Sequence, residues 1–232
     1  MAIHEFETPD DLAAGAAEFL RDRLRTSTDR TSLGLAGGST PTQTYRRLRD
    51  LDVDWQSVDL WLTDERFVPV DHPDSNARMA WDELASPVAA HLHAPDVALG
   101  DPATVALRYA EDLERLLRSS HGRIEPDVVL LGMGPDGHTA SLFPGTDALQ
   151  ATDPYAAVFV PKLDAWRLTA TLPLLRAART VVFLVAGHGK AAMLSSVLQT
   201  DEPHPVSLVA SGHRDVHWFV DTAAASELGG AA

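Results

Sequence analysis

The stretch from Asp127 to Thr146 limits what this chain can fold into more than any other. Asp127 to Leu131 is a short apolar run bounded by Pro126 and Gly132, the pattern of a parallel strand covered on both faces. Gly132, Gly134 and Gly137 then permit turns and close approaches that a Cβ would forbid. They deliver Asp136 and His138 at the carboxyl end of the strand, where open α/β sheets hold their ligands. The spacing Gly132-x-Gly134-x-x-Gly137 also fits a dinucleotide fingerprint. That fingerprint must open a helix of several turns, and Pro144-Gly145 stops any helix here within a turn or two. The stretch therefore reads as a catalytic loop rather than a pyrophosphate cradle.

The same strand-to-loop grammar recurs along the chain. Ser32 to Ala36 runs into Gly37-Gly38-Ser39-Thr40-Pro41 and a helix to about Arg49. Val58 to Leu62 ends at Thr63-Asp64-Glu65-Arg66. Val181 to Val185 ends at Gly187-His188-Gly189-Lys190, with a helix through Leu198. Further helices are expected from Thr8 to Leu24, Ser75 to Leu84, Asp101 to Ser119 and Leu172 to Ala178. Ala157 to Val160, Val206 to Ala210 and Val216 to Val220 read as strands, Arg167 to Thr171 as an extended segment, and the end from Ala223 as a short helix fraying into disorder. Strands alternating with helices imply a mostly parallel sheet with helices on both faces, an α/β fold. No Pro/Gly/Ser-rich linker or charge block divides the 232 residues, so one domain over 1–232 is expected.

Composition narrows the function. The formal charge of −14 excludes the basic surface that a phosphate backbone needs, so nucleic acid is not the expected partner. No apolar run reaches the roughly eighteen residues of a membrane helix, and acids among the first thirty residues rule out a signal peptide, so a soluble, cytoplasmic protein is expected. Zero cysteines remove disulfides and thiolate metal sites. Lys162 and Lys190 are the only lysines, against seventeen arginines. That scarcity makes both worth locating.

Several residues can carry chemistry. Gly37, Gly38, Ser39 and Thr40 before Pro41 form either an ordinary capped turn or an anion site built from free N–H groups and the helix dipole. Asp64 and Arg66 stand at a second strand end. Lys190 follows a Gly-x-Gly turn that is too short for a nucleotide P-loop. His91-x-His93 has metal-like spacing but no third ligand near it beyond Asp96, and reads as a surface loop. No metal site is expected.

Four stretches together resemble the 6-phosphogluconolactonases. They are Gly34 to Pro41; Thr63 to Pro69 with Asp74-Ser75-Asn76; Leu131 to Pro144; and Arg167 with Thr169 to Pro173 and Ala177 to Thr180, closing on Gly187 to Lys190. The resemblance covers nearly the whole chain, and the third stretch is the most specific. It implies a three-layer, Rossmann-like sandwich with a mostly parallel sheet, related to glucosamine-6-phosphate deaminase and ribose-5-phosphate isomerase. It also implies hydrolysis of 6-phosphoglucono-1,5-lactone in the oxidative pentose phosphate pathway, with no cofactor. The expected partner is that small phosphosugar lactone, and the expected assembly a monomer or weak homodimer. Two segments depart from the family pattern. Val160 to Trp166 replaces a Ser-Pro-Lys-Pro-Pro-Pro segment, which changes the loop near the substrate, and His188 stands where the family has Glu.

A lactone carbonyl is already electrophilic, so hydrolysis needs a positioned water, a base and support for the oxyanion. His138 is the only histidine of the central loop, and an imidazole, with a free-solution pKa of about 6.5, accepts a proton near neutrality. It is assigned as general base. Asp64 and Asp136 either orient it or bind sugar hydroxyls. The phosphate is assigned to Gly38, Ser39 and Thr40, with charge from Arg167 and Lys190 by resemblance, and Arg66 reaches either phosphate or oxyanion. A deaminase of the same fold usually reads Asp-Glu-Tyr at 64–66 and carries an acid after its histidine, where this chain has Ala140-Ser141-Leu142-Phe143-Pro144. A non-catalytic phosphosugar sensor of the repressor type needs a DNA-binding segment, for which there is no room before the first strand.

Overall fold

A strand that is apolar at every position needs cover on both faces, and the computed structural model supplies it. It describes residues 1–25, 30–120 and 123–229. In chain order the elements open with β1 (Ala2–Phe6), α1 (Pro9–Arg25), β2 (Thr31–Leu35), α2 (Ser39–Leu48), β3 (Val58–Leu62) and β4 (Asp64–Arg66). Then come α3 (Asn76–Ala80), α4 (Ser86–Val88), β5 (His91–His93), α5 (Pro102–Leu116), β6 (Ser119–Ser120), β7 (Arg123–Ile124) and β8 (Val128–Gly132). The last third holds β9 (Tyr155–Val160), β10 (Ala165–Ala170), α6 (Leu172–Ala177), β11 (Thr180–Val185), α7 (Ala191–Gln199), α8 (Pro205–Ala210), β12 (Val216–Asp221) and α9 (Thr222–Ala225).

Seven strands form one sheet in the order β1-β12-β11-β8-β2-β3-β5, and every pairing in it is parallel. Along β8, Val129 and Leu131 enter one apolar cluster with α5 to α8, while Val128 and Leu130 enter the other with α1 and α2. Helix, sheet and helix layers make the expected sandwich. The chain winds from β2 outward through β3 to β5, then returns to β8 and winds the other way through β11 and β12. A crevice opens between the carboxyl ends of β2 and β8, where the direction reverses. A smaller antiparallel sheet, β4-β10-β9, packs beside it.

Two expectations need correction, and one strand had not been expected. Val206–Ala210 is not a strand but helix α8. Pro205 opens it, Ser207 Oγ accepts from His204 N at 2.9 Å, and Val206 and Val209, three apart, are fully buried in the core. His91-x-His93 is not a surface loop but edge strand β5, recruited by the free side of β3; His93 Nε2 lies 3.4 Å from Asp59 Oδ1. The segment Ala2–Phe6, unassigned in the sequence, is the opposite edge strand. The helix expected over Ser75 to Leu84 starts with Ser75 as its cap and continues through a wider turn, Trp81–Ala85, into α4. The expected fray at the carboxyl end falls partly on residues 230–232, outside those described.

Candidate functional site

Four strand ends and one glycine loop build the site. After β2 the chain turns at Gly38, whose φ of 115° suits glycine, directly into α2. No side chain caps this helix, and its first internal bond runs from Thr42 N to Gly38 O at 3.1 Å. The N–H groups of Ser39 and Thr40 therefore have no partner among the described residues, and Pro41 has none to offer. Here is a bare helix terminus with its positive dipole end facing the crevice.

After β8 the loop folds back on itself, with Gly134 N donating to His138 O at 2.8 Å and Gly137 N to Gly134 O at 3.1 Å. Asp136 Oδ1 and His138 Nδ1 lie 2.5 Å apart. A carboxylate at Nδ1 selects the tautomer with its proton there and leaves the Nε2 lone pair open. Gly134 makes the pairing possible, since a methyl group in its place would sit 2.0 Å from His138 Nδ1 and 2.7 Å from Asp136 Oδ1. The imidazole packs against Phe143, ring centres 4.2 Å apart and planes tilted by 30°. Beyond it Ala140 has a φ of 46°, a left-handed conformation that is strained for a side-chain-bearing residue. Ser141 N donating to Thr169 Oγ1 (3.1 Å) and Ser141 Oγ donating to Asp64 Oδ2 (2.7 Å) hold it in place. Those two bonds tie the loop to β10 and β4.

Asp64 is 8% exposed, and burial pushes its carboxyl above the usual carboxylate range, against the opposing pull of Ser141, Arg66, His138 and Arg167. Its other oxygen accepts from Asn76 Nδ2 at 3.4 Å. Asp136 behaves oppositely. Burial is the largest single influence and acts to raise it, yet hydrogen bonds from Lys162 and His138 together hold it far below the ordinary range. Of the two candidate carboxylates, Asp136 is the one bonded to the imidazole.

The cavity has two adjoining lobes. The inner lobe, of about 280 Å³, lies between the α2 terminus (Gly37, Gly38, Ser39, Thr40), His138 and Lys190. The outer lobe, of about 460 Å³, lies between His138, Asp136, Lys162 and Arg167. Asp64, Arg66, His138 and Ala140 line both. The sequence grouped Arg167 with Lys190 and the helix terminus, but the register of β10 on β4 sets Arg167 opposite Arg66, on the outer side. Burial first, and the Arg66 charge second, lower the Arg167 guanidinium's affinity for its proton. Burial likewise lowers Lys190, with Asp136 opposing. Among the described residues, none of Arg66, Arg167 and Lys190 is ion-paired with a carboxylate. Cations left unpaired in a crevice favour an anionic ligand.

Sequence reasoning missed four supporting residues. Glu65 is buried and accepts from Arg66 N, Asn76 N, Ala77 N and Ser75 Oγ at 2.6–3.0 Å, so it closes the start of α3 against β4. Asn76 Nδ2 donates to Asp64 O at 2.9 Å, while Asn76 fills the space a Gly37 Cβ would take. Asp221 accepts from Gly187 N and from Ala224 N, fixing the turn before Lys190. Lys162 contacts Asp136 Oδ2. The joint occurrence of Thr63 to Pro69 with Asp74-Ser75-Asn76 was the available signal for the first two, and the rarity of lysine for the last.

Residues 7–218 match the family model described as "Glucosamine-6-phosphate isomerases/6-phosphogluconolactonase". The 6-phosphogluconolactonase of a Nostoc species is 38% identical over 86% of this chain and 85% of its own. That of Rattus norvegicus is 37% identical over 97% and 93%. The solved 6-phosphogluconolactonase of Trypanosoma brucei superposes with a TM-score of 0.87 at 31% identity, covering 98% of each chain. On these matches the chain belongs to the glucosamine-6-phosphate isomerase/6-phosphogluconolactonase family.

Proposed function

We propose that this protein hydrolyses 6-phosphoglucono-1,5-lactone to 6-phosphogluconate, with His138 as general base. One observation carries the reading: His138 is fixed at Nδ1 by Asp136 and open at Nε2, in a cavity that also holds a bare helix terminus and unpaired cations. Water attacks C1 as its proton passes to Nε2, and the carbonyl electrons move onto oxygen. The tetrahedral intermediate collapses by breaking the bond from C1 to the ring oxygen, which leaves with the proton from the imidazolium. Asp136 keeps the tautomer and steadies the imidazolium while it lasts. Ser39 and Thr40 N–H groups with Lys190 hold the phosphate, and Arg66, reaching both lobes, supports the developing oxyanion. Arg167 adds charge from the outer side. The lactonase names of relatives that span most of this chain support the same reading.

A paired assay tests it. Freshly generated 6-phosphogluconolactone should open far faster than it does spontaneously, and glucosamine-6-phosphate should release no ammonia. Unphosphorylated gluconolactone should be a much poorer substrate. Ammonia without lactone opening would reassign the site to deamination, and equal efficiency on both lactones would remove the phosphate assignment.

A further inference from the structure

Lys162 belongs to none of the roles above, yet it touches both neighbours of the base. It lies in the single turn Pro161–Leu163 between β9 and β10, and its stem and head are half exposed. Its ammonium contacts Asp136 Oδ2, while the other oxygen of the same carboxylate holds His138 Nδ1. The same ammonium stands 4.5 Å from the centre of the Phe143 ring, and that ring packs against the imidazole at a 30° tilt. Lys162, Asp136, His138 and Phe143 thus form a closed circuit of contacts around one proton-accepting group.

A carboxylate facing an imidazole alone favours the imidazolium, because opposite charge at close range holds the proton. An ammonium on the far oxygen changes this: Asp136 and Lys162 together present a nearly neutral pair, so the imidazole is still oriented but is released from most of the pull. The other charges facing His138 are fixed by their own elements. Asp64 and Arg66 come from the β4 side, Arg167 from β10 and Lys190 from the start of α7, while His204 backs the loop beneath Gly137. None of these touches Asp136 Oδ2. We propose that Lys162 is a positioning residue for the proton transfer, which acts through Asp136 to keep His138 unprotonated and aimed at neutral pH.

The proposal rests on His138 being the base, and its test includes a readout that does not need activity. A half-exposed ion pair adds little to stability, so Lys162→Met, which keeps an apolar stem over Phe143, should fold with an unchanged melting temperature. Removing the ammonium restores the full pull of Asp136. The acid limb of the kcat profile should therefore move upward by about one pH unit, the scale of one nearby charge, with KM for the lactone changed much less. Nuclear magnetic resonance titration of the His138 ring should move the same way in the free protein, and Lys162→Arg should return both near wild type. An acid limb and ring titration that stay within about 0.2 unit of wild type in Lys162→Met would overturn the proposal, as would a downward shift or an equal shift in Lys162→Arg. A wild-type protein that opens no lactone would instead sink the functional reading, while the ring titration would still decide the coupling.

Discussion

The two ends of the parallel sheet are built from the same residue types and used in opposite ways. At the amino end the charges answer one another. Asp127, before β8, accepts from Ser32 N and Oγ at 2.9 and 3.1 Å and lies within 3.5 and 3.7 Å of Arg118 and Arg179. Asp59 holds Arg30, and Asp215 holds Thr180 Oγ1, His217 and Arg23. At the carboxyl end the helix terminus is bare, and Arg66, Arg167 and Lys190 line a cavity with no carboxylate paired to them among the described residues. Saturated polar groups stabilise a fold, whereas groups held without partners wait for a ligand. At the carboxyl end the carboxylate Asp136 answers Lys162 and His138, and the other cations are left to the cavity.

Three substitutions test that contrast, in descending order of effect. His138→Asn should lower kcat by about 10²–10⁴-fold, the usual contribution of a positioned base, with the melting temperature almost unmoved. A coupled loss of both would make the carboxyl end structural like the other. Lys190→Ala should raise KM for the phosphorylated lactone by the equivalent of about 1.5–3 kcal/mol, roughly ten- to hundredfold, and leave kcat nearly intact. Because burial lowers the Lys190 ammonium's hold on its proton, wild-type KM should climb at a more acidic pH than an ordinary lysine, near about 10.4, would allow. That alkaline climb should vanish in Lys190→Ala; its survival there would assign the titration elsewhere. Asp127→Ala should reverse the pattern. Leaving Ser32 N–H buried without its acceptor should cost about 1–3 kcal/mol of stability, with kcat and KM unchanged. A loss of activity in the folded Asp127→Ala protein would break the division between the ends.

Most of the fold was legible because the central strands β8 and β11 are apolar runs stopped by glycine, and such runs read the same in sequence and in space. Failures came where the period is too short to decide. Val206 to Ala210 is five residues long, and Pro205 tips it into a helix. His91–His93 and Ala2–Phe6 carry polar residues because they are edges, and an edge strand is defined by its neighbour rather than by its own composition. The site followed the same rule. His138, Asp136 and Gly134 lie within five residues, so all three were readable as one loop, but the choice between Asp64 and Asp136 as the imidazole's partner came only with the folded loop. Glu65 with Ala77, Asp221 with Gly187, and Lys162 with Asp136 meet only after the crossovers are made. The place of Arg167 opposite Arg66 was likewise unreadable, because it depends on the register of β10 against β4.

The empty place at Gly134 also governs how this chain can vary over generations. Any side chain there evicts the imidazole and carboxylate from their shared space. A lineage that lost the glycine would have to move both the acid and the base, because the clash falls on the two of them at once. Positions 134, 136 and 138 therefore behave in inheritance as one character written in three letters.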